Sequence, residues 1–208
     1  MAITKLTNRR NPLEIRKREL KIPKRFPRLC PDCPYWFVFS AIKKVAPRET
    51  IFGGDIGCYM LAGFPPHNIQ DYLLCMSSSI GVGHGIKKSS KQKVIALIGD
   101  STFFHSGIPA LINTVFNKSN PLIIVMDNRI TAMTGHQPHP GVGRTGMGES
   151  TQEIRIEDIV RACGVKNVKV IDPINIKELQ AAIKEFLAKK EVSVIISRRM
   201  CAYLKRKK

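Results

Sequence analysis

Two residues of this chain sit where a hard cation could be held. Val94 to Ile98 is an apolar run leading into Gly99-Asp100-Ser101, and Pro121 to Met126 is another leading into Asp127-Asn128. Continuous apolar runs of this kind are strands buried on both faces of a parallel sheet. Parallel neighbours end on one edge, where open α/β folds bind ligands. Asp100 and Asn128, 28 positions apart, would meet there as two oxygen ligands of an ion such as Mg²⁺, which completes its shell with phosphate oxygens of the ligand. The N–H groups opening the helix between the strands would hold that phosphate. On spacing alone the same residues also fit ordinary turn chemistry.

The six cysteines are the second group. Cys30-x-x-Cys33 by itself fits a redox pair, half a zinc site or two buried thiols. Cys58 belongs to Ile56-Gly57-Cys58, a tight turn where backbone without a side chain can approach a ligand. Cys201 follows the last apolar run. Cys75 and Cys163 read as buried core cysteines. So few cysteines in a chain of 208 residues point to a reducing compartment, with the cytoplasm as the default.

The elements that must position these groups follow from the hydropathy pattern. Helices are expected over Tyr35 to Val45, Ser77 to Lys88, Phe104 to Phe116, Ile156 to Cys163 and Ile176 to Leu187. Short strands are expected over Thr50 to Phe52, Tyr72 to Cys75, Val168 to Ile171 and Val192 to Ser197, beside the two long apolar ones. The alternation argues α/β, a mostly parallel sheet with helices on both faces. Residues 129–152 read as a long glycine-rich loop, a kind that is usually functional or flexible. No apolar run approaches the ~18 residues of a membrane span, and the first residues lack the apolar stretch of a secretory signal.

The net charge of +18 is concentrated at the ends. Residues 1–28 hold ten Lys or Arg against two Glu, and residues 205–208 add four more, so 12 of the 18 lie there. We read three parts: a basic arm (1–28) with one helical turn near Leu13 to Leu20, a domain (29–204) and a basic tail (205–208). No nucleic-acid motif accompanies the arm, so an acidic protein partner or plain solvation is favoured over nucleic acid.

The strings GDSTFFHSGIPALIN, MDNRITAMTGHQPHPGVG, CPDCP and GGDIGCYMLAGFPP resemble the thiamine diphosphate-binding part of indolepyruvate ferredoxin oxidoreductases, within the 2-oxoacid:ferredoxin oxidoreductase superfamily. The resemblance covers roughly residues 29–204 and implies the thiamine diphosphate-binding (diphosphate-domain) fold. It also implies Mg²⁺ held by Asp100, the Asn128 side chain and the Ile130 carbonyl. Gly57, Ser101, Thr102, Thr134 and Gly135 would lie near the diphosphate. Ser101 stands where the wider superfamily has glycine, as it does in the indolepyruvate enzymes. Ser78-Ser79-Ile80-Gly81 resembles the Gly-Ser-Ile-Gly element of thiamine decarboxylases. By that likeness the Ser78 carbonyl would accept from the cofactor's amino group, and Ile80 would support its bent shape. The bland reading is a helix start with a packed isoleucine.

By the same resemblance Cys30, Cys33, Cys58 and Cys201 would hold a [4Fe–4S] cluster, which four thiolates satisfy. Asp32 and Tyr35 depart from the family, which has glycine and histidine there. A charge at Asp32 would lower the cluster's potential. His105, His136 and His139 are candidates for substrate contacts or plain hydrogen-bonders, and His84 for packing. The implied reaction decarboxylates an arylpyruvate and passes the acyl group to coenzyme A and the electrons to ferredoxin. The activating glutamate belongs to a pyrimidine-binding domain, expected on a partner subunit. Two rivals are a non-redox 2-oxoacid decarboxylase split between subunits, and a degenerate binding module that docks on an acidic partner.

Overall fold

In the computed structural model, which describes residues 23 and 27–206, the apolar runs become adjacent strands. β1 (Ile51–Gly53), β2 (Val94–Gly99), β3 (Leu122–Asp127), β4 (Asn167–Ile171) and β5 (Ser193–Arg198) form one sheet in the order β1-β2-β3-β5-β4. Every pairing is parallel. The arm of residues 1–28, with the helical turn expected near Leu13 to Leu20, lies almost wholly outside the described residues. So do residues 207–208 of the tail.

Side chains of a strand alternate between faces, and here both faces are apolar because both are covered. Ile95 and Leu97 of β2 join one layer with Phe39 and Ile42 of α1 (Tyr35–Val45) and Leu179 and Ile183 of α6 (Ile176–Ala188). Ala96 and Ile98 join the opposite layer, with Ile80 of α2 (Ser78–Ser89), Leu111 of α4 (Ile108–Phe116) and Val160 of α5 (Ile156–Ala162). An alternating strand with one wet face could not use these sequences.

The structure differs from the sequence reading at several points. Tyr72 to Cys75 is not a strand: Tyr72 makes a single bridge to Gly53, and the chain then turns into α2. Asp71 caps that edge instead, its carboxylate accepting from the Phe52 N–H at 2.7 Å. Cys75 is therefore exposed, not buried as expected, whereas Cys163 is half-buried. The crossover helix begins four residues early, at the strand end itself. α3 (Asp100–Thr102) passes through a π-turn (Phe103–Gly107) into α4, and such turns cluster at functional sites. The loop of residues 129–152 is tied by Thr131↔Gln137 and Arg144↔Ser150 bridges and by a short 3₁₀ turn, Pro140–Val142. A helix, α7 (Ala202–Arg206), leads into the basic tail. Among the described residues no helix is long and apolar enough to cross a membrane.

Candidate functional site

β2 and β3 run in register with Gly99 opposite Met126, so Asp100 and Asn128 leave the same sheet edge side by side. Both are buried, at 3% and 5% exposure. Asp100 Oδ1 accepts from the Ser101 N–H at 2.8 Å, and Oδ2 accepts from the Arg129 N–H at 2.8 Å and from His139 Nε2 at 3.0 Å. Arg129 can reach back because it is left-handed, at φ 65. Asn128 closes an Asx turn, its Oδ1 accepting from the Ile130 N–H at 3.2 Å. Asp100 Oδ1 and Asn128 Oδ1 thus each accept one hydrogen bond, and each oxygen keeps a lone pair for a cation. This donor set fits Mg²⁺.

His139 has a fixed role in this arrangement. Its side chain is fully buried, its Nδ1 accepts from the Gly141 N–H at 3.2 Å, and the Phe104 ring lies 5.6 Å away. With Nδ1 accepting, Nε2 carries the proton and donates to Asp100. A histidine that orients a metal-binding carboxylate in this way is worth about 10–100-fold in metal affinity. The His139→Phe protein should therefore bind Mn²⁺, read by EPR titration as a Mg²⁺ substitute, that much more weakly, with partial rescue by His139→Gln.

Beneath the edge, Asp127 is 1% exposed and accepts from Arg198 Nε at 2.6 Å. The Arg198 guanidinium also holds both oxygens of Glu157, at 3.1 and 2.6 Å. Burial and the neighbouring Asp100 charge push the Asp127 carboxyl up, and Arg198 pulls it back. Arg198 holds Glu157 below the usual carboxylate range. Replacing Arg198 by Met strands two carboxylates and should cost about 3 kcal/mol in denaturant unfolding at neutral pH. The Glu157 share is present above its unfolded pKa, near ~4.3, and fades as pH falls through the lower folded value. The deficit of the variant should shrink accordingly in acid.

Asp100, Ser101, Thr102, Asn128, Ile130 and Thr134 line one cavity of about 130 Å³, and so does Gly57. Thr102 Oγ1 donates to the Ile56 carbonyl at 3.1 Å, which brings the Gly57 turn against the helix start. Gly99 admits the ring of Tyr59, which a Cβ there would meet at 2.7 Å. Pockets that enclose a whole small ligand start at ~300 Å³. This one suits a diphosphate and its cation, with the rest of such a ligand extending outward. Gly135 follows Thr134 in the turn at φ 127 but does not line the cavity, and neither do Ser78 and Ile80. Ile80 is wholly buried in the layer between α2 and the sheet. The Ser78 hydroxyl accepts from the Leu74 and Cys75 N–H groups. From this segment it is Met76 that reaches the cavity.

A second cavity, of about 110 Å³, is lined by Cys30, Cys33, Cys58 and Cys201. Tyr35, Cys58, Asn128 and Ala132 line both cavities. The Cys201 N–H donates to the Asn128 carbonyl at 3.0 Å, and the Tyr35 hydroxyl to the Met126 carbonyl at 3.1 Å. Burial pushes the Cys33 thiol up to about 12, despite a bond from the Tyr35 N–H, and the Cys58 thiol up to about 11; charge on the other cysteines adds to both. Four thiolates this close repel one another, so their joint deprotonation needs a positive core. Among the described residues no three His, Cys, Asp or Glu side chains are grouped to hold a single metal ion. The four thiols line one cavity, which is the ligand count a [4Fe–4S] cluster takes.

Tyr35 fills its departure from the family pattern by walling both cavities. Asp32 sits at φ 61, a left-handed position where glycine is unstrained and aspartate is tolerated. His105 is exposed on a separate cleft with Arg144, and His84 meets the Ser119 hydroxyl at 2.9 Å. Sequence reasoning passed over Asp55, which is fully buried. Its carboxylate accepts from the Ile56 N–H at 2.7 Å and the Ser79 hydroxyl at 3.0 Å, tying the Gly57 turn to α2. Burial pushes it up, and those bonds hold it back. Its signal was an aspartate directly after Gly53-Gly54 at a strand end.

A parallel α/β domain with a carboxylate and an amide meeting beside a helix start has the donors that a metal–diphosphate group takes. Residues 55–197 match the thiamine pyrophosphate enzyme family through its C-terminal TPP binding domain, and the chain belongs to that family. It is 48% identical over 186 residues to indolepyruvate oxidoreductase subunit IorA of Methanothermobacter thermautotrophicus, covering 86% of this chain and 30% of that one. The same subunit of Pyrococcus horikoshii is 48% identical over 195 residues, covering 87% and 30%. That of Archaeoglobus fulgidus is 44% identical over 193 residues, covering 92% and 31%. The chain thus spans about 30% of the length of these curated relatives. Its fold is similar to 2-oxoglutarate:ferredoxin oxidoreductase from Magnetococcus marinus, solved with 2-oxoglutarate, coenzyme A and succinyl-CoA bound. The TM-score is 0.72 at 17% identity, covering 88% of this chain and 66% of that one. Benzoylformate decarboxylase from Polynucleobacter necessarius gives 0.56 at 19% identity, covering 78% and 32%. At such identities the likeness is one of fold.

Proposed function

We propose that this chain is the diphosphate-binding part of a thiamine- and iron–sulfur-dependent 2-oxoacid:ferredoxin oxidoreductase of indolepyruvate type. The enzyme would convert an arylpyruvate and coenzyme A to acyl-CoA and CO₂ while reducing ferredoxin. One observation carries the reading: cysteines from three distant segments line a cavity that shares a wall with the Asp100–Asn128 cavity. A non-redox decarboxylase has no use for that arrangement.

Bound thiamine diphosphate supplies the carbanion chemistry that releases CO₂, and a [4Fe–4S] cluster takes up electrons one at a time. Asp100, the Asn128 amide and the Ile130 carbonyl hold Mg²⁺, with His139 and the Arg129 N–H fixing the carboxylate. Ser101, Thr102 and the Thr134-Gly135 turn flank the diphosphate, and the Gly57 turn lets backbone approach it. Met76, rather than Ile80, is the apolar side chain this segment offers the cofactor. Cys30, Cys33, Cys58 and Cys201 bind the cluster. Tyr35 and Ala132, between the two, exclude water from the path of the electrons.

The rim of the cofactor cavity is apolar and exposed: Ile56, Met76 and Met133 line it, and Leu74, close by in sequence, is 72% exposed. That supports a pyrimidine-binding domain seated there, bringing the activating glutamate and covering the outer half of the cofactor. The basic ends suit an acidic ferredoxin or sister subunit, and six unpaired cysteines suit a reducing cytoplasm. Iron and acid-labile sulfide assays on the complex from its native source test the reading. Four irons and four sulfides per copy of this chain, beyond those bound elsewhere in the complex, are expected. A colourless, iron-free complex with full activity would remove the electron-transfer half.

A further inference from the structure

His136 stands on the wall of the thiol cavity with Cys30, Cys33, Cys58 and Cys201. Its Nε2 is shut off from solvent and has no hydrogen-bond partner among the described residues. A buried ring nitrogen without a partner is rare in native structures and calls for an explanation. The backbone there is also strained. His136 is left-handed at φ 64, a conformation that non-glycine side chains avoid unless their surroundings enforce it. The enforcement is visible: the His136 N–H donates to the Thr131 carbonyl at 2.9 Å, and the Thr131 N–H to the Gln137 carbonyl at 3.0 Å, closing a small hairpin. The Tyr203 ring lies edge-on to the imidazole at 6.3 Å. Loop, strain and ring contact thus fix the imidazole, while one of its nitrogens is left unused beside four thiols.

We infer that His136 Nε2–H donates a hydrogen bond to a sulfur of the cluster, either a sulfide or a cysteine thiolate, and raises its reduction potential. The inference rests on the cluster reading above. An N–H aimed at sulfur stabilises the more negative, reduced cluster, and such bonds are one of the protein's main controls on potential. The donor also offsets Asp32, whose charge beside Cys30 and Cys33 acts in the opposite direction. His136 is a positioning and tuning residue here, with no bond to iron.

The test is an anaerobic redox titration of the holo complex, followed by EPR of the reduced cluster. His136→Phe, which keeps a ring against Tyr203 but removes the donor, should retain wild-type iron and sulfide and titrate at a more negative midpoint. His136→Gln keeps an N–H donor and should move less than half as far. His136→Leu carries the same expectation as the phenylalanine variant if that ring does not pack. An unmoved midpoint in an iron-loaded donorless variant overturns the hydrogen bond and leaves the cluster standing. Loss of iron from both donorless variants, each still folded by circular dichroism, also overturns it, since that marks a ligand. A wild-type chain without iron or sulfide overturns the cluster reading itself, and this bond with it.

Discussion

An Asp100→Asn substitution should weaken Mg²⁺-dependent thiamine diphosphate binding by more than about 100-fold and leave the chain folded. The amide has the shape of the carboxylate, and its oxygen can still accept from the Arg129 N–H and His139, which bond to Oδ2 in the native chain, while its NH2 takes the place of Oδ1 and forfeits the bond from the Ser101 N–H. Loss of the charge also relieves Asp127, whose carboxyl burial and Asp100 push up. The relief at Asp127 is set against the bond lost by the Ser101 N–H, so the chain should still melt cooperatively, within about 5 °C of wild type. The proposed metal site, however, would lose its one negatively charged ligand. Since an outer-shell partner alone is worth up to ~100-fold in affinity, the loss here should exceed that. Calorimetric titration of thiamine diphosphate with Mg²⁺ into the intact complex, beside a thermal melt, separates the two effects. Binding within a few-fold of wild type would mean that Asp100 does not hold the cation.

The Cys201→Ser protein, by contrast, should keep the cofactor and lose electron transfer. Cys201 lines only the thiol cavity, so thiamine diphosphate affinity should stay within about two-fold. The proposed cluster would lose one of four thiolates, so at least a quarter of its iron should go, and ferredoxin reduction should fall below detection. Cys75→Ser and Cys163→Ser, away from that cavity, should leave iron content and activity unchanged. If Cys201→Ser retained a full cluster and full ferredoxin reduction, the four-cysteine assignment would be wrong.

The parts of the fold that were legible in the sequence are those in which one physical demand dominates. β2 and β3 announce themselves because both faces of a central parallel strand must be apolar. Asp100 and Asn128 were legible for the same reason, since a strand end fixes which edge a side chain joins. The segment before α2 was not legible. Tyr72 to Cys75 has strand-like residues, but Asp71 and Tyr72 satisfy the edge of β1 with three bonds, and no further pairing is needed. Ser77, left-handed at φ 72, then starts the helix so that Ile80 faces the sheet and Met76 the cavity. Periodicity places a helix but not the residue at which it starts, so it could not tell which of the two would face the cavity.

The sequence marked His139 as a hydrogen-bonder, but its partner was unreadable for another reason. It lies 39 positions beyond Asp100 in a loop rich in glycine and proline, and no spacing rule links such a residue to a strand end. The pairing exists because the loop folds back through the 3₁₀ turn at Pro140–Val142 and buries the imidazole against Phe104. The cysteines were intermediate. Four thiols in three segments carry no local pattern beyond Cys-x-x-Cys, and it took resemblance to join them. In the fold the Cys201 N–H bonds to the carbonyl of Asn128, so the thiol cavity and the cation site are fastened to the same strand end.

That shared strand end makes an iron-edge anomalous diffraction map of the holo complex the most direct measurement. The expected map has its iron peak between Cys30, Cys33, Cys58 and Cys201, with diphosphate density across the Tyr35 wall, bridged to Asp100 and Asn128 by a metal ion. A map with no iron between those four sulfurs, or with the diphosphate bound away from Asp100, would contradict it.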